Sequence, residues 1–167
     1  MKTYAMADES VTDLVAEILS KHYPEHLALR LKVDVLMVST DEEVSALTVN
    51  GYAVKAVTKI LGAKDRTAGR ADAEIVIDEN SWIAMSAAER AALIDHELYH
   101  LELVRDKTDR LKRDYMGRPQ LTIRLHDHQF GWFDAIAKRH GEASQECQQA
   151  QRFHSHAQLY LPFETAV

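Results

Sequence analysis

Cysteine is all but missing: Cys147 is the single one in 167 residues. An internal disulfide is thereby excluded, and a reducing compartment suits the chain. Cys147 lies in the polar run Glu146-Cys147-Gln148-Gln149, with no second thiol to share a metal, and reads as incidental. No apolar run approaches the length of about 18 residues that a membrane helix requires. Met1–Ser10 has no apolar stretch of the kind found in signal peptides. Positive charge is in deficit, with a net charge of −6, which argues against a broad, sequence-independent nucleic-acid surface. Five Lys/Arg between Lys107 and Arg118 leave room for a local basic patch, although a solvated polar hairpin accounts for them more simply. Internal repeats are absent too. The expectation is a soluble, cytoplasmic protein.

What remains is a sequence with 46% hydrophobic residues, enough for one core at this length. A single domain over 1–167 is expected, with its core at about 8–141 and a C-terminal tail at 142–167 of helix-compatible sequence. Ser10 to His22 predicts an amphipathic helix, because Val11, Leu14, Val15 and Ile18 share a face and Ser10 can cap it. His22 and His26 stand four apart, but Pro24 between them breaks the helix that would align them. Leu27 to Val38 alternates apolar and polar residues and predicts a half-buried strand. Thr40–Arg70 carries both helical and strand spacings, with Gly62 and Gly69 suggesting a loop.

Ala73 to Asp78 (Ala-Glu-Ile-Val-Ile-Asp) predicts a short strand. It is either an ordinary interior strand or a sheet edge that could hold an extended peptide by strand addition. Ser86-Ala87-Ala88-Glu89 then reads as a capping box, and the helix it opens is expected within Ser86–Arg105. That helix carries Asp95-His96-Glu97-Leu98-Tyr99-His100. Residues four apart on a helix project from adjacent turns of one face. His96 and His100 can therefore grip one metal ion, with Glu97 beside it to act on a water. Ile94, Leu98 and Leu101 on the far side, with Leu93 and Leu103 flanking, make the helix apolar nearly all round. The histidines then face a cleft inside the protein rather than solvent.

Two histidines hold zinc too weakly for a permanent site, so a third protein ligand is needed. Glu102 lies about 240° round the helix from His96 and points elsewhere. Leu121, Ile123 and Leu125 alternate as a strand after the Gly117-Arg118-Pro119 turn, and His126-Asp127-His128 follows at its end. His126 is the first choice for the ligand and His128 the alternative. His140, His154 and His156 sit in less constrained surroundings. Phe130, Phe133, Ile136 and Ala137 predict a last amphipathic helix, and Gln145–Phe163 a polar tail.

These residues carry a resemblance. Leu93-Ile94-Asp95-His96-Glu97-Leu98-Tyr99-His100, followed by Gly117-Arg118-Pro119-Gln120-Leu121 and Arg124-Leu125-His126-Asp127, resembles the putative phage metallopeptidase family. More distantly it is similar to SprT/Spartan-type minigluzincin-like zinc proteases. In that wider group a strand ending in His follows the helix, with a short step to an aromatic residue that opens another helix. His126-Asp127-His128-Gln129-Phe130 fits that step, with His126 at the ligand position. His128 departs from the pattern by adding a second candidate. The likeness covers roughly Ala73 to Gly141, and Met1–Arg70 fits only by its helix–strand layout.

The resemblance implies an α+β fold: a compact zincin-like domain with a small mixed sheet packed against a central H-E-x-x-H helix and flanking helices. It also implies Zn²⁺ as cofactor and a polypeptide as substrate. Glu97 is then the general base for a water activated by zinc. Tyr115 and Arg124 are candidate oxyanion donors, and Asp95 and Asp127 are either acids orienting an imidazole or plain surface acids. A zinc-stabilised module that captures a protein without cutting it is the competing reading. A zinc hydrolase of another amide bond is the third.

Overall fold

A computed structural model describes residues 1–41, 45–126 and 132–160, with the last six of these as backbone. The fold is α+β. Asp8 opens the first helix, α1 (Glu9–His22), by accepting the Val11 N–H, while Ser10 donates to Asp8 instead of capping the helix itself. Pro24 ends α1 but also begins α2 (Pro24–Ala28), since proline's missing N–H costs nothing in a first turn. The strand expected from Leu27 therefore starts later, as β2 (Val33–Thr40). Arg30, at φ 53°, makes the reversal that separates the two. Alternation alone cannot distinguish a helical turn plus a loop from the first half of a strand.

Strand β1 (Lys2–Met6) runs antiparallel to β2. The segment of uncertain period forms a two-stranded hairpin, β3 (Thr48–Val49) and β4 (Tyr52–Ala53), then β5 (Ala56–Ile60) and α3 (Ala63–Thr67). The hairpin turns on Asn50 and Gly51, at φ 51° and 84°, the two positive values that a tight primed turn demands. Strand β6 occupies Ala73–Asp78 as predicted. It pairs with β2 in parallel and with β5 antiparallel, giving the order β1-β2-β6-β5. β6 is thus interior, and the strand at that end of the sheet is β5. All but one of the β6 residues are buried, so both of its faces are shielded from solvent, as is usual for a strand with a parallel partner inside a sheet.

Helix α4 (Glu79–Ala84) leads into α5 (Ala87–Tyr99), whose capping box between Ser86 and Glu89 is present in both directions. The core gathers Val11, Val15 and Ile18 of α1, Val35 of β2, Ile75 and Ile77 of β6, and Leu93, Ile94 and Leu98 of α5. Burying side chains of this size contributes about 1.5–3 kcal/mol each. Strands β7 (Leu101–Leu103) and β8 (Leu121–Ile123) pair antiparallel. The basic run between them forms the expected polar hairpin arm, extended by bridges from Arg105 to Leu111 and from Arg113 to Pro119. Asp106 and Asp114 shape its two turns by accepting backbone N–H groups of Thr108, Arg110, Met116 and Arg118.

By backbone proximity the chain divides after Leu125. The second unit holds α6 (Asp134–His140), a short 3-10 turn (Gly141–Ala143) and α7 (Gln145–Tyr160). Phe133 and Ile136 are fully buried, in keeping with the amphipathic helix expected there, and the polar tail is helical through Tyr160. Phe130 lies outside the described residues. No helix among the described residues is long and apolar enough to cross a membrane.

Candidate metal centre

The motif lies at the end of its helix, not in the middle. α5 stops at Tyr99, and His100 is its C-cap, with φ −65° and ψ −23°. Those angles are still helical, so His96 and His100 keep the four-residue geometry, with ring centroids 5.1 Å apart and planes at 75°. Stopping there matters, because β7 begins at Leu101 and leads through the arm to β8. Arg124, just past β8, donates its N–H to the His100 carbonyl at 2.8 Å. The chain therefore comes back alongside the motif two residues before His126.

His96, His100 and His126 each offer a ring nitrogen, and these lie within 4.8 Å of one another. No other group of three such ligands arises among the described residues. A tetrahedral ion with bonds of about 2.1 Å holds its nitrogens about 3.4 Å apart, a separation that small rotations reach from this arrangement. His96 is buried, His100 half-buried and His126 exposed, so the cluster runs from the interior to solvent. His126 also stacks at a tilt on Phe133, with centroids 4.7 Å apart. His128, the alternative third ligand, and Asp127 lie outside the described residues.

Neighbouring groups orient these side chains. His100 Nδ1 is 2.8 Å from the Arg124 carbonyl. A carbonyl only accepts, so Nδ1 carries the proton and Nε2 keeps its lone pair for a cation. This backbone carbonyl does for His100 what a carboxylate does for an imidazole ligand in other sites. Asp95, buried beside His96, accepts the Tyr23 hydroxyl at 2.5 Å, and the Asp95 carbonyl is 3.0 Å from the same hydroxyl. His26 Nε2–H donates to the Leu101 carbonyl at 2.8 Å. The segment around Pro24 thus braces the motif on both sides, and His26 is scaffold, as expected for a residue outside the site.

Glu97 is buried, only 4% exposed. Thr58 of β5 reaches it, with the threonine hydroxyl 2.6 Å from Glu97 Oε2. Sequence reading missed both Thr58 and Tyr23, since each lies dozens of positions from its partner and carries no spacing signal. Of the candidate oxyanion donors, Tyr115 is exposed, with its hydroxyl 2.9 Å from that of Thr67. The Arg124 guanidinium lies over the Tyr99 ring at 4.6 Å and binds Glu102 at 3.2 Å.

No curated protein and no solved structure matches the chain. A family model described as putative phage metallopeptidase matches residues 3–158, a span that contains the motif helix and His126. A family of that description implies a divalent metal and a polypeptide substrate, and the described residues contain one histidine cluster of metal-ligating type. With nearly its whole length matched, the chain belongs to the putative phage metallopeptidase family.

Proposed function

We propose that this chain is a zinc-dependent peptidase in which His96, His100 and His126 hold Zn²⁺ and Glu97 is the general base. The observation that carries this reading is the approach of three imidazole nitrogens from separate points of the chain, with a buried carboxylate next to the first. Three neutral imidazoles with one position left for solvent is a donor set suited to catalytic zinc. Bound there, zinc would supply Lewis acidity, polarising the scissile carbonyl and lowering the pKa of a water towards about 7. Glu97 takes the proton of the attacking water and passes it to the leaving amine. The His100 Nδ1–H bonds to the Arg124 carbonyl, so Nε2 is the nitrogen offered to the metal. β5 enters no second ladder among the described residues, so an extended polypeptide could add to that edge beside Glu97. The single cysteine and the net charge of −6 fit a cytoplasmic enzyme acting on polypeptide rather than on nucleic acid.

Elemental analysis of the wild type, His126→Ala and His128→Ala tests the site, each variant being checked for folding. About one zinc per chain in the wild type, lost in His126→Ala alone, is expected. Loss in His128→Ala alone would move the ligand by two residues. A wild type that stays metal-free after zinc is supplied would overturn the reading. Glu97→Gln then separates enzyme from capture module, because only an enzyme loses turnover while keeping its zinc.

A further inference from the structure

Thr58 stands on the strand at the end of the four-stranded sheet, yet its hydroxyl is turned to the motif helix. It lies 2.6 Å from Glu97 Oε2 and 3.1 Å from the Glu97 carbonyl. A hydroxyl has one hydrogen and both partners accept, so the nearer carboxylate oxygen takes it. The shorter distance is that of an O–H donating to a carboxylate, about 2.5–2.7 Å. The neighbours of Thr58 on its own face of the sheet are apolar: Ala56 and Ile60, two residues to either side, and Ile75 opposite it in register. Valine would fill the same volume there, so packing alone does not call for a hydroxyl.

A glutamate has three rotatable bonds, and next to two histidines its carboxylate has more than one place to go. It can swing towards a cation and become a ligand, or stand off and serve as a base. The Thr58 hydrogen bond engages Oε2 of the pair and so restricts how the carboxylate can turn. We propose that Thr58 is a positioning residue, whose hydroxyl holds the Glu97 carboxylate in the orientation that accepts the proton of the attacking water. The catalytic half of this statement rests on the peptidase reading; the positioning half stands on the geometry alone.

The test compares full-length wild type with Thr58→Val and Thr58→Ser, with Thr58→Ala in reserve should the valine variant not fold. Zinc content is measured by elemental analysis, the Glu97 side chain is located in crystal structures of zinc-free and zinc-loaded protein, and turnover is followed on quenched fluorescent casein. Thr58→Val is expected to keep one zinc per chain and to show a displaced Glu97 carboxylate. Its kcat should fall by about 10–100-fold, the usual cost of losing an outer-sphere partner, with KM little changed. Thr58→Ser should restore both the carboxylate position and kcat. A Glu97 that stays in place in Thr58→Val, an unchanged kcat, or a serine variant as impaired as the valine one would overturn the proposal. If the wild type loads zinc but cleaves nothing, the peptidase reading fails, and the position of Glu97 in the variants still decides whether Thr58 holds it.

Discussion

His100 and Arg124 are joined twice, by the Arg124 N–H to the His100 carbonyl and by His100 Nδ1–H to the Arg124 carbonyl, both at 2.8 Å. The pair closes the β7–β8 hairpin one step beyond its last ladder residues. One local feature therefore fixes the tautomer of a candidate ligand and brings the next candidate, His126, back to the motif. A ligand cluster assembled in this way exists only in the folded chain.

Zinc should in consequence stabilise the fold by mass action, since an ion that binds only the native state contributes about 2.7 kcal/mol at one hundred times its Kd. Thermal melts with rising zinc should show an increasing Tm in the wild type, and a chelator should reverse it. His100→Ala should melt independently of zinc. A zinc-dependent Tm that persists in that variant would mean the ion sits elsewhere.

Tyr23 is the brace on the other side. Its hydroxyl meets Asp95 Oδ1 at 2.5 Å in a buried position, within the range of a charge-assisted bond. Tyr23→Phe removes the donor, leaves the acid buried and opens no cavity, which should cost about 1.5–3 kcal/mol. Urea unfolding should show a lower midpoint with an unchanged m-value, and zinc content should stay at the wild-type level. A loss below about 0.5 kcal/mol, the floor for an ordinary hydrogen bond, would show that the contact carries no stability.

Wherever short-range chemistry decides, the structure could be read from the sequence. Ser86 and Glu89 announce the start of α5, Ala73–Asp78 supplies a β-branched strand, and the spacing of His96 and His100 survives even though the helix ends at Tyr99. The strand expected through Leu125 ends at Ile123, so His126 stands three residues past it. The His100–Arg124 pairing, rather than a strand end, brings it near His96 and His100. Where pairing partners are distant the sequence says little. Nothing in Ala73–Asp78 shows that it lies inside the sheet, because that depends on Ala56–Ile60 pairing back onto it. The Asn50-Gly51 turn was visible in principle, but its flanking strands have two residues each, too few to show a period. Thr58 and Tyr23 are recognisable only when their partners are in place.

The polar arm between β7 and β8 is fastened by charges of low exposure. Arg66 of α3 lies 3.0 Å from Asp114 and 4.0 Å from Asp72, and Arg118 lies 3.1 Å from Asp72. The side chains of Arg66, Asp72 and Asp114 are 10%, 3% and 11% exposed. Removing Arg66 takes the cation from buried Asp114, while Asp72 keeps Arg118, and breaking a buried pair in this way typically costs about 3–5 kcal/mol. Arg66→Met should destabilise by an amount in that range in urea unfolding. Asp109, a fully solvated acid at the arm's other turn and 87% exposed, provides the contrast: Asp109→Asn should change stability by less than about 1 kcal/mol. Equal effects of the two substitutions would remove the case for a buried fastening.

Asp78 makes acid sensitivity predictable. Burial raises its pKa, but hydrogen bonds from Ser81, from the Ala46 N–H and from Ser45 outweigh burial and hold the carboxyl below its ordinary value of 3.8. A carboxyl depressed by folding stabilises the native state at pH values above its unfolded pKa. That contribution is lost as pH falls through the folded pKa. Protonation also weakens two anchors at once, because Asp78 both caps α4 through the Ser81 N–H and fixes the loop at Ser45 and Ala46. Asp78→Asn keeps a capping oxygen but cannot titrate. The variant should be less stable than the wild type at neutral pH, and the gap should narrow as pH is lowered below about 4. Urea midpoints measured from pH 6 down to about 2.5 read this directly. A gap of constant size across that range would show that the charge on Asp78 contributes nothing beyond the shape of its side chain.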